Sequence, residues 1–257
     1  SSSVTSPTSD KRAPQSKSPL LIVGQPKLTD LPTVRALDDI WNEVQSRPLW
    51  APTTFWKWFK LNLRMRTRLI DEKKVDVIAP RYKVNECASC TDNCCIGPHS
   101  TVLLRLRDIA TLIDLDRTEL MTHEKPKFSD EVLASRHALK RQTESRDWND
   151  FPVLKQNSFH ACGALDIEGR CTLYPHWPET CARFPYSLDT ENLEVFYSRR
   201  CDSFWVRPDA QNEVHAMREA AVAAYNSRIK DQLMLAFAQE RLRDLGLVRF
   251  LRSSAKP

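Results

Sequence analysis

Apolar residues recur along this chain at helical spacing over three stretches, separated by a long aperiodic segment. Val34, Leu37, Ile40, Trp41 and Val44 lie three or four apart, which predicts an amphipathic helix from Pro32 to Arg47 with Thr33 as its cap and Pro48 as its stop. Thr53 to about Ile70 predicts a second helix, where Phe55, Trp58, Phe59, Leu61 and Leu63 alternate with Lys57, Lys60, Arg64, Arg66 and Arg68. The simpler reading of that helix puts its aromatics in a core and its arginines on a wet face. The other makes it a surface for phosphate or for a partner. Residues 101–107 alternate well enough for a short strand, after which Asp108 caps a helix carrying Ile109, Leu112 and Ile113. Ser129, followed by Asp130 and Glu131, starts another helix running to about Arg146. Residues 147–208 have no helical period and predict loops and short hairpins. Val222, Tyr225, Ile229, Leu233 and Phe237 then form the stripe of a long helix over 213–245.

Residues 1–30 are rich in Ser, Pro, Thr and Lys and predict a disordered tail. The expected fold is therefore mainly α with short strands and hairpins, as a single domain over residues 31–250. A cysteine-rich loop region, residues 84–205, is expected to be knit by metal and packed against the helices.

Composition narrows the function classes. With 257 residues, 41% of them apolar and 28% charged, the chain is long enough to bury a substantial core. A net charge of +5 permits an anionic partner without requiring one, and the basic helix 53–70 is where a protein or nucleic acid would bind. No apolar run reaches the roughly 18 residues that span a membrane. Leu20–Val23 is too short for the core of a signal peptide, so a cytoplasmic location is expected. There is no GxGxxG, P-loop or HExxH motif, and five glycines leave little material for a phosphate-cradling loop.

Candidate chemistry lies in the cysteines. Of eight, four fall within nine residues, Cys87-Ala-Ser-Cys90-Thr-Asp-Asn-Cys94-Cys95. Four soft donors in so short a stretch hold a metal or form disulfides. Seven Trp and ten Phe supply a core that small disulfide scaffolds lack, which favours metal in a reducing compartment. Cys87 and Cys90 form a CxxC pair suited to one ion. Cys94 and Cys95 are adjacent, so their side chains diverge toward two centres or two corners of one cluster. Cys162 and Cys171 flank a hairpin turn with Asp166 and Gly169 at its first and last positions. Cys181 follows within Pro178–Pro185. Cys201 stands beside Arg199 and Arg200, whose charge would lower thiolate pKa values. His99, His160 and His176 lie close by; each reads as an ordinary polar residue, and a mixed thiolate–imidazole site would tilt toward zinc.

Together these segments resemble the YkgJ-type cysteine-cluster family of zinc- or iron-chelating proteins. The resemblance rests on CxxCxxxCC at 87–95, Cys162-Gly-Ala-Leu165, Gly169-Arg-Cys171-Thr-Leu-Tyr174 and Pro178-Glu-Thr-Cys181-Ala-Arg-Phe184-Pro185, and covers roughly 84–201. Trp177 and Ala182 stand where that family has arginines, with Arg183 one place on. An anion or substrate contact is thereby in question, while the thiols are intact. Tyr174-Pro175 and Phe184-Pro185 are expected to wall the site from water. The resemblance implies a metal held by Cys87, Cys90, Cys94, Cys95, Cys162, Cys171, Cys181 and Cys201. The metal is either zinc or, as a more distant similarity to a flagellin lysine methylase implies, an iron–sulfur cluster. Three functions follow: a structural or metal-handling centre, a methyl-transfer-like enzyme modifying protein side chains, or an adaptor with structural zinc. Whether the chain is an enzyme stays open. Metal binding is expected to order residues 147–208, which lack an apolar pattern of their own.

Overall fold

The protein was analysed as a computed structural model, which describes residues 31–46, 55–77, 95–96, 101–135, 140, 142–184, 186–197 and 211–252. The expected tail, residues 1–30, lies outside the described residues, as do Cys87, Cys90, Cys94, His99 and Cys201. The described helices are α1 (Pro32–Ser46), α2 (Phe55–Arg66), α3 (Leu106–Asp114), α4 (Asp130–Ser135), α5 (Arg146–Asp150), α6 (Glu179–Arg183), α7 (Gln211–Phe237) and α8 (Gln239–Asp244). The strands are short: β1 (Asp76–Val77), β2 (Met121–Thr122), β3 (Val153–Leu154), β4 (Tyr186–Asp189) and β5 (Glu194–Tyr197). The fold is mainly α with short hairpins.

Helices α1, α3 and α7 meet around the principal core. The stripe of α1 buries Val34, Leu37, Ile40 and Val44, against Leu106, Ile109 and Leu112 of α3 and Ile229 and Leu233 of α7. The cap of α1 is not Thr33. The carboxylate of Asp114, the last residue of α3, accepts the N–H of Thr33 at 2.9 Å and that of Val34 at 3.2 Å, and also the Thr33 hydroxyl. An acid at a helix C-terminus opposes that helix's dipole, and here the N-terminus of α1 offsets it. Asp114→Ala is expected to cost about 1–2 kcal/mol, the usual worth of an N-cap. A shifted urea midpoint with an unchanged m-value would register the loss; an unchanged midpoint would refute it.

The strand expected over 101–107 is instead a buried crossing. Val102, Leu103, Leu104, Arg105 and Leu106 are all buried, so alternation does not sort them into inner and outer faces. Only Leu103 bridges a neighbour, Val153; the Leu104 N–H donates to Pro152 O, and the Leu154 N–H donates to Val102 O. The helix predicted from Ser129 to about Arg146 is helical at Asp130–Ser135 and at residues 140, 142 and 143, and it ends in a turn at Glu144 and Ser145. A new helix starts at Arg146, where the Ser145 hydroxyl accepts the N–H of Trp148. The long C-terminal helix also breaks, at Ala238 (φ −136, ψ 26). The break turns Leu242 and Leu247 back into the core, both 0% exposed.

Helix α2 departs most from its pattern. Asn62 is buried, whereas Trp56, Leu61 and Leu63 are exposed beside Lys60 and Arg64. Trp58 meets Phe237 of α7 edge-on, with ring centroids 5.4 Å apart.

A three-stranded sheet of order β1-β5-β4 flanks the first half of α7. β4 and β5 form a hairpin, and β1 joins β5 in parallel through Asp76↔Glu194 and Val77↔Val195. Val75, Val195, Ala221 and Val222 make the small core there. The antiparallel pair β2–β3 sits on the main core. Residues 147–208 are expected to lack an apolar pattern, yet within their described part Trp148, Phe151, Val153, Leu154, Ala164 and Leu173 are buried. These residues are sparse in sequence and converge only through the hairpins. Among the described residues, no helix is long and apolar enough to cross a membrane.

Candidate metal centre

Four of the eight cysteines are described: Cys95, Cys162, Cys171 and Cys181, all half-buried. No disulfide joins them. Backbone pairing brings Cys95 of the first cysteine group to Cys162 of the second, since Ile96 bridges Ala161 and the Cys162 N–H donates to Cys95 O at 2.8 Å. On its other side the same segment folds back on itself, with Cys162 bridging Gln156. Asn157 closes that turn: its side-chain oxygen accepts the N–H groups of Phe159 and Ala161. His160 occupies the turn with φ 57 and is exposed. Gly163 follows Cys162 because a Cβ there would lie 3.0 Å from Lys155 O. That close approach is what the Cys-Gly step provides.

Cys171 is carried by the predicted hairpin. Leu165 bridges Cys171, the Gly169 N–H donates to Asp166 O, and Gly169 takes φ 76. The Asp166 carboxylate accepts two further N–H groups, those of Glu168 and Arg170. These bonds hold its carboxyl below the usual range, the Arg170 N–H contributing most. Leu173 then enters the core, and Cys181 rides on α6 with its N–H donating to Pro178 O. Cys162, Cys171 and Cys181 all pack against the principal core.

Tyr174 and Phe184, expected to wall the site from water, are both exposed to solvent. Tyr174 is 68% exposed and meets Trp177 edge-on, and Phe184 is 39% exposed. A cis bond precedes Pro175. His176 lies in a tight crevice with Asp108, Thr111, Leu173 and Pro178, and its Nδ1 has no hydrogen-bond partner among the described residues.

Sequence reasoning missed a buried charge cluster beneath α6. Asp108 of α3 accepts two N–H groups from different elements: Oδ2 takes that of Arg105 at 2.8 Å, and Oδ1 that of Glu179, the first residue of α6, at 2.9 Å. Asp231 of α7 accepts the Leu106 N–H at 3.3 Å. Arg105 is 8% exposed and pairs with Asp147 at 2.8 Å. Arg228 reaches the same carboxylate at 3.6 Å. Burial pushes the Asp108 carboxyl up to about 7, reinforced by Glu179 and opposed by its two N–H donors and Arg105. Burial likewise raises Glu179, whose side chain also engages Ser227, and raises Asp231. Arg183, one place on from where the resemblance has an arginine, belongs to this cluster. Burial lowers its pKa, aided by Arg105 and Arg228. The one sequence signal was an arginine set among leucines, Leu103-Leu104-Arg105-Leu106.

The raised acids imply a pH dependence with a definite sign. Between the ordinary carboxylate range and about pH 7 the folded protein holds more protons on these groups than the unfolded chain does. Their contribution to stability is therefore full at the acidic end and is lost as pH rises through that window. Asp231→Asn removes one such acid but keeps an oxygen for the Leu106 N–H. In metal-free protein its urea midpoint is expected to gain on wild type progressively from pH 4.5 to 7.5. A gap constant with pH would contradict the assignment.

Sulfur donors set on two turns and a one-turn helix, pinned to a helical body by backbone bonds, mark a cysteine-rich metal-binding protein. The chain belongs to the CxxCxxCC family, a "putative zinc- or iron-chelating domain", whose model matches residues 86–228. The match begins at the first cysteine group and runs into α7 as far as Arg228. It takes in Arg105, Asp108, Asp147, Glu179 and Arg183 and leaves out α1 and α2. Neither the curated proteins nor the solved structures contain a match to the chain.

Proposed function

We propose that the chain binds zinc or an iron–sulfur cluster in an all-thiolate centre whose ligands are Cys87, Cys90, Cys94, Cys95, Cys162, Cys171, Cys181 and Cys201. The observation that carries this reading is the Cys162–Cys95 backbone bond, which holds one cysteine of each group side by side across 66 intervening residues. The donor chemistry fits, because thiolates without carboxylates suit both zinc and iron–sulfur centres. Among the described residues no three His, Cys, Asp or Glu side chains are grouped to hold an ion. The four described thiols are thus read as part of a set completed by Cys87, Cys90, Cys94 and Cys201. Bound zinc would supply a rigid tetrahedral junction, and a cluster a one-electron couple. The protein's own part is to hold Cys95 against Cys162, to set Cys171 on a hairpin arm, and to fasten Cys181 to the helical core.

Anaerobic purification followed by zinc and iron analysis and a visible spectrum tests the proposal. A brown protein with acid-labile sulfide identifies a cluster, and a colourless one with about two zinc per chain identifies paired four-thiolate sites. Neither metal at stoichiometric level would overturn it.

A further inference from the structure

Helix α6 has little to hold it in place by itself. It is five residues long, its N-cap is Pro178 with no side-chain bond, and its residues are half-buried. A helix this short is not stable alone. Besides the Glu179–Ser227 contact and its packing on α7, its start is tied to the core by Asp108, a residue 4% exposed on α3 between Leu106 and Ile109, both 0% exposed. Its two carboxylate oxygens are divided between the two helices, one on Arg105 at the start of α3 and one on Glu179 at the start of α6. Cys181 lies two positions beyond Glu179.

We propose that Asp108 is the positioning residue of Cys181, setting where the thiol stands by joining the N-terminus of its helix to the buried start of α3. The assignment rests on the metal-centre reading for its functional meaning and on the two hydrogen bonds for its geometry. Asparagine is not a substitute. It has one acceptor oxygen, so its amide group would turn an N–H toward one of the two backbone donors. The structure also holds a control. Asp114, at the far end of α3, bonds the N-terminus of α1 in the same manner, and α1 carries no cysteine.

The test compares wild type, Asp108→Asn and Asp114→Asn as full-length chains. In metal-free protein, the alkylation of Cys181 by N-ethylmaleimide is followed by mass spectrometry, with Cys171 as the internal reference. In cobalt-loaded protein, the thiolate-to-cobalt absorption bands and the cobalt Kd are recorded. Asp108→Asn is expected to raise the Cys181 rate at least fivefold relative to Cys171, shift the cobalt bands and weaken cobalt binding about tenfold. Asp114→Asn is expected to lower the unfolding midpoint and leave all three readouts at wild-type values. Equal effects of the two variants on Cys181, or no effect of Asp108→Asn, would overturn the assignment. If Asp108→Asn does not fold, amide exchange in wild type decides. Protection of the Glu179 N–H comparable to that of Ile109 supports the bond, and rapid exchange at Glu179 refutes it. A wild-type chain that binds no metal would sink the metal-centre reading, and the alkylation arm would still decide the role of Asp108.

Discussion

Cys181→Ser is expected to lower metal content and to bring down the melting temperature of the metal-loaded protein by roughly 8–16 °C. A serine hydroxyl is a far weaker ligand for soft metals than a thiolate. If affinity drops a thousandfold, the stabilisation supplied by bound metal falls by about 4 kcal/mol through mass action. For a chain of this size each kcal/mol moves the midpoint by about 2–4 °C. Complete unfolding is not expected, because Leu173, Ala164 and Val153 secure the surrounding hairpins to the core without metal. The metal-free variant and metal-free wild type should therefore melt within a few degrees of each other, since the side chain is only half-buried. Cys90→Ser should behave alike. Metal analysis with paired melting curves, with and without chelator, measures all of this. A Cys181→Ser protein with full metal content and an unshifted curve would remove Cys181 from the ligand set.

Arg105→Met is expected to cost about 3–5 kcal/mol, the typical penalty for removing one member of a buried ion pair. The guanidinium bonds Asp147 at 2.8 Å and lies over the Phe151 ring, 5.4 Å from its centroid. Asp108, Asp231 and Glu179 also feel its charge. Methionine fills much of the volume but leaves those acids buried without the charge of Arg105, the cation that acts on both Asp108 and Asp231. The residual partner of Asp147, Arg228, is half exposed and 3.6 Å away, too distant to replace it. Because protonation relieves the stranded acids, the loss should be greater at pH 8 than at pH 5. Adding Asp147→Asn should recover part of it, the coupling a double-mutant cycle reads. Urea denaturation of the single and double variants gives the comparison, and a single-variant cost under 1 kcal/mol would show the cluster does not depend on Arg105.

The elements legible in the sequence are those whose causes are local. The stripe of α1 and the Asp166–Gly169 turn depend on residues within one or two turns of each other, and both form as expected. Failures arise where a distant partner decides. The segment 101–107 alternates, but it is buried on both sides, so its pattern carries no strand signal. Helix α2 looks like a core helix by composition, yet it buries Asn62 and exposes Leu61 and Leu63. The cysteines announce themselves by spacing, whereas the acids that support Cys181 do not. Asp108 and Glu179 are 71 positions apart, and Leu106 and Asp231 are 125 apart. Nothing in an isolated Asp or Glu tells a solvated carboxylate from a buried one.

The parallel pairing of β1 with β5 has a topological consequence. Val77 and Val195 lie side by side, so everything between them is one closed excursion of the chain fastened at a neck. Seven of the eight cysteines hang within that excursion, and Cys201 leaves the neck on a leash of four residues past Tyr197, at most about 14 Å long. Closing a loop costs entropy that grows only with the logarithm of its length. Once the neck is shut, the two cysteine groups are joined by a second path through it, which lowers part of the cost of bringing them into one neighbourhood. Insertions within the excursion should then be tolerated far better than any break in the two-residue clasp that seals it.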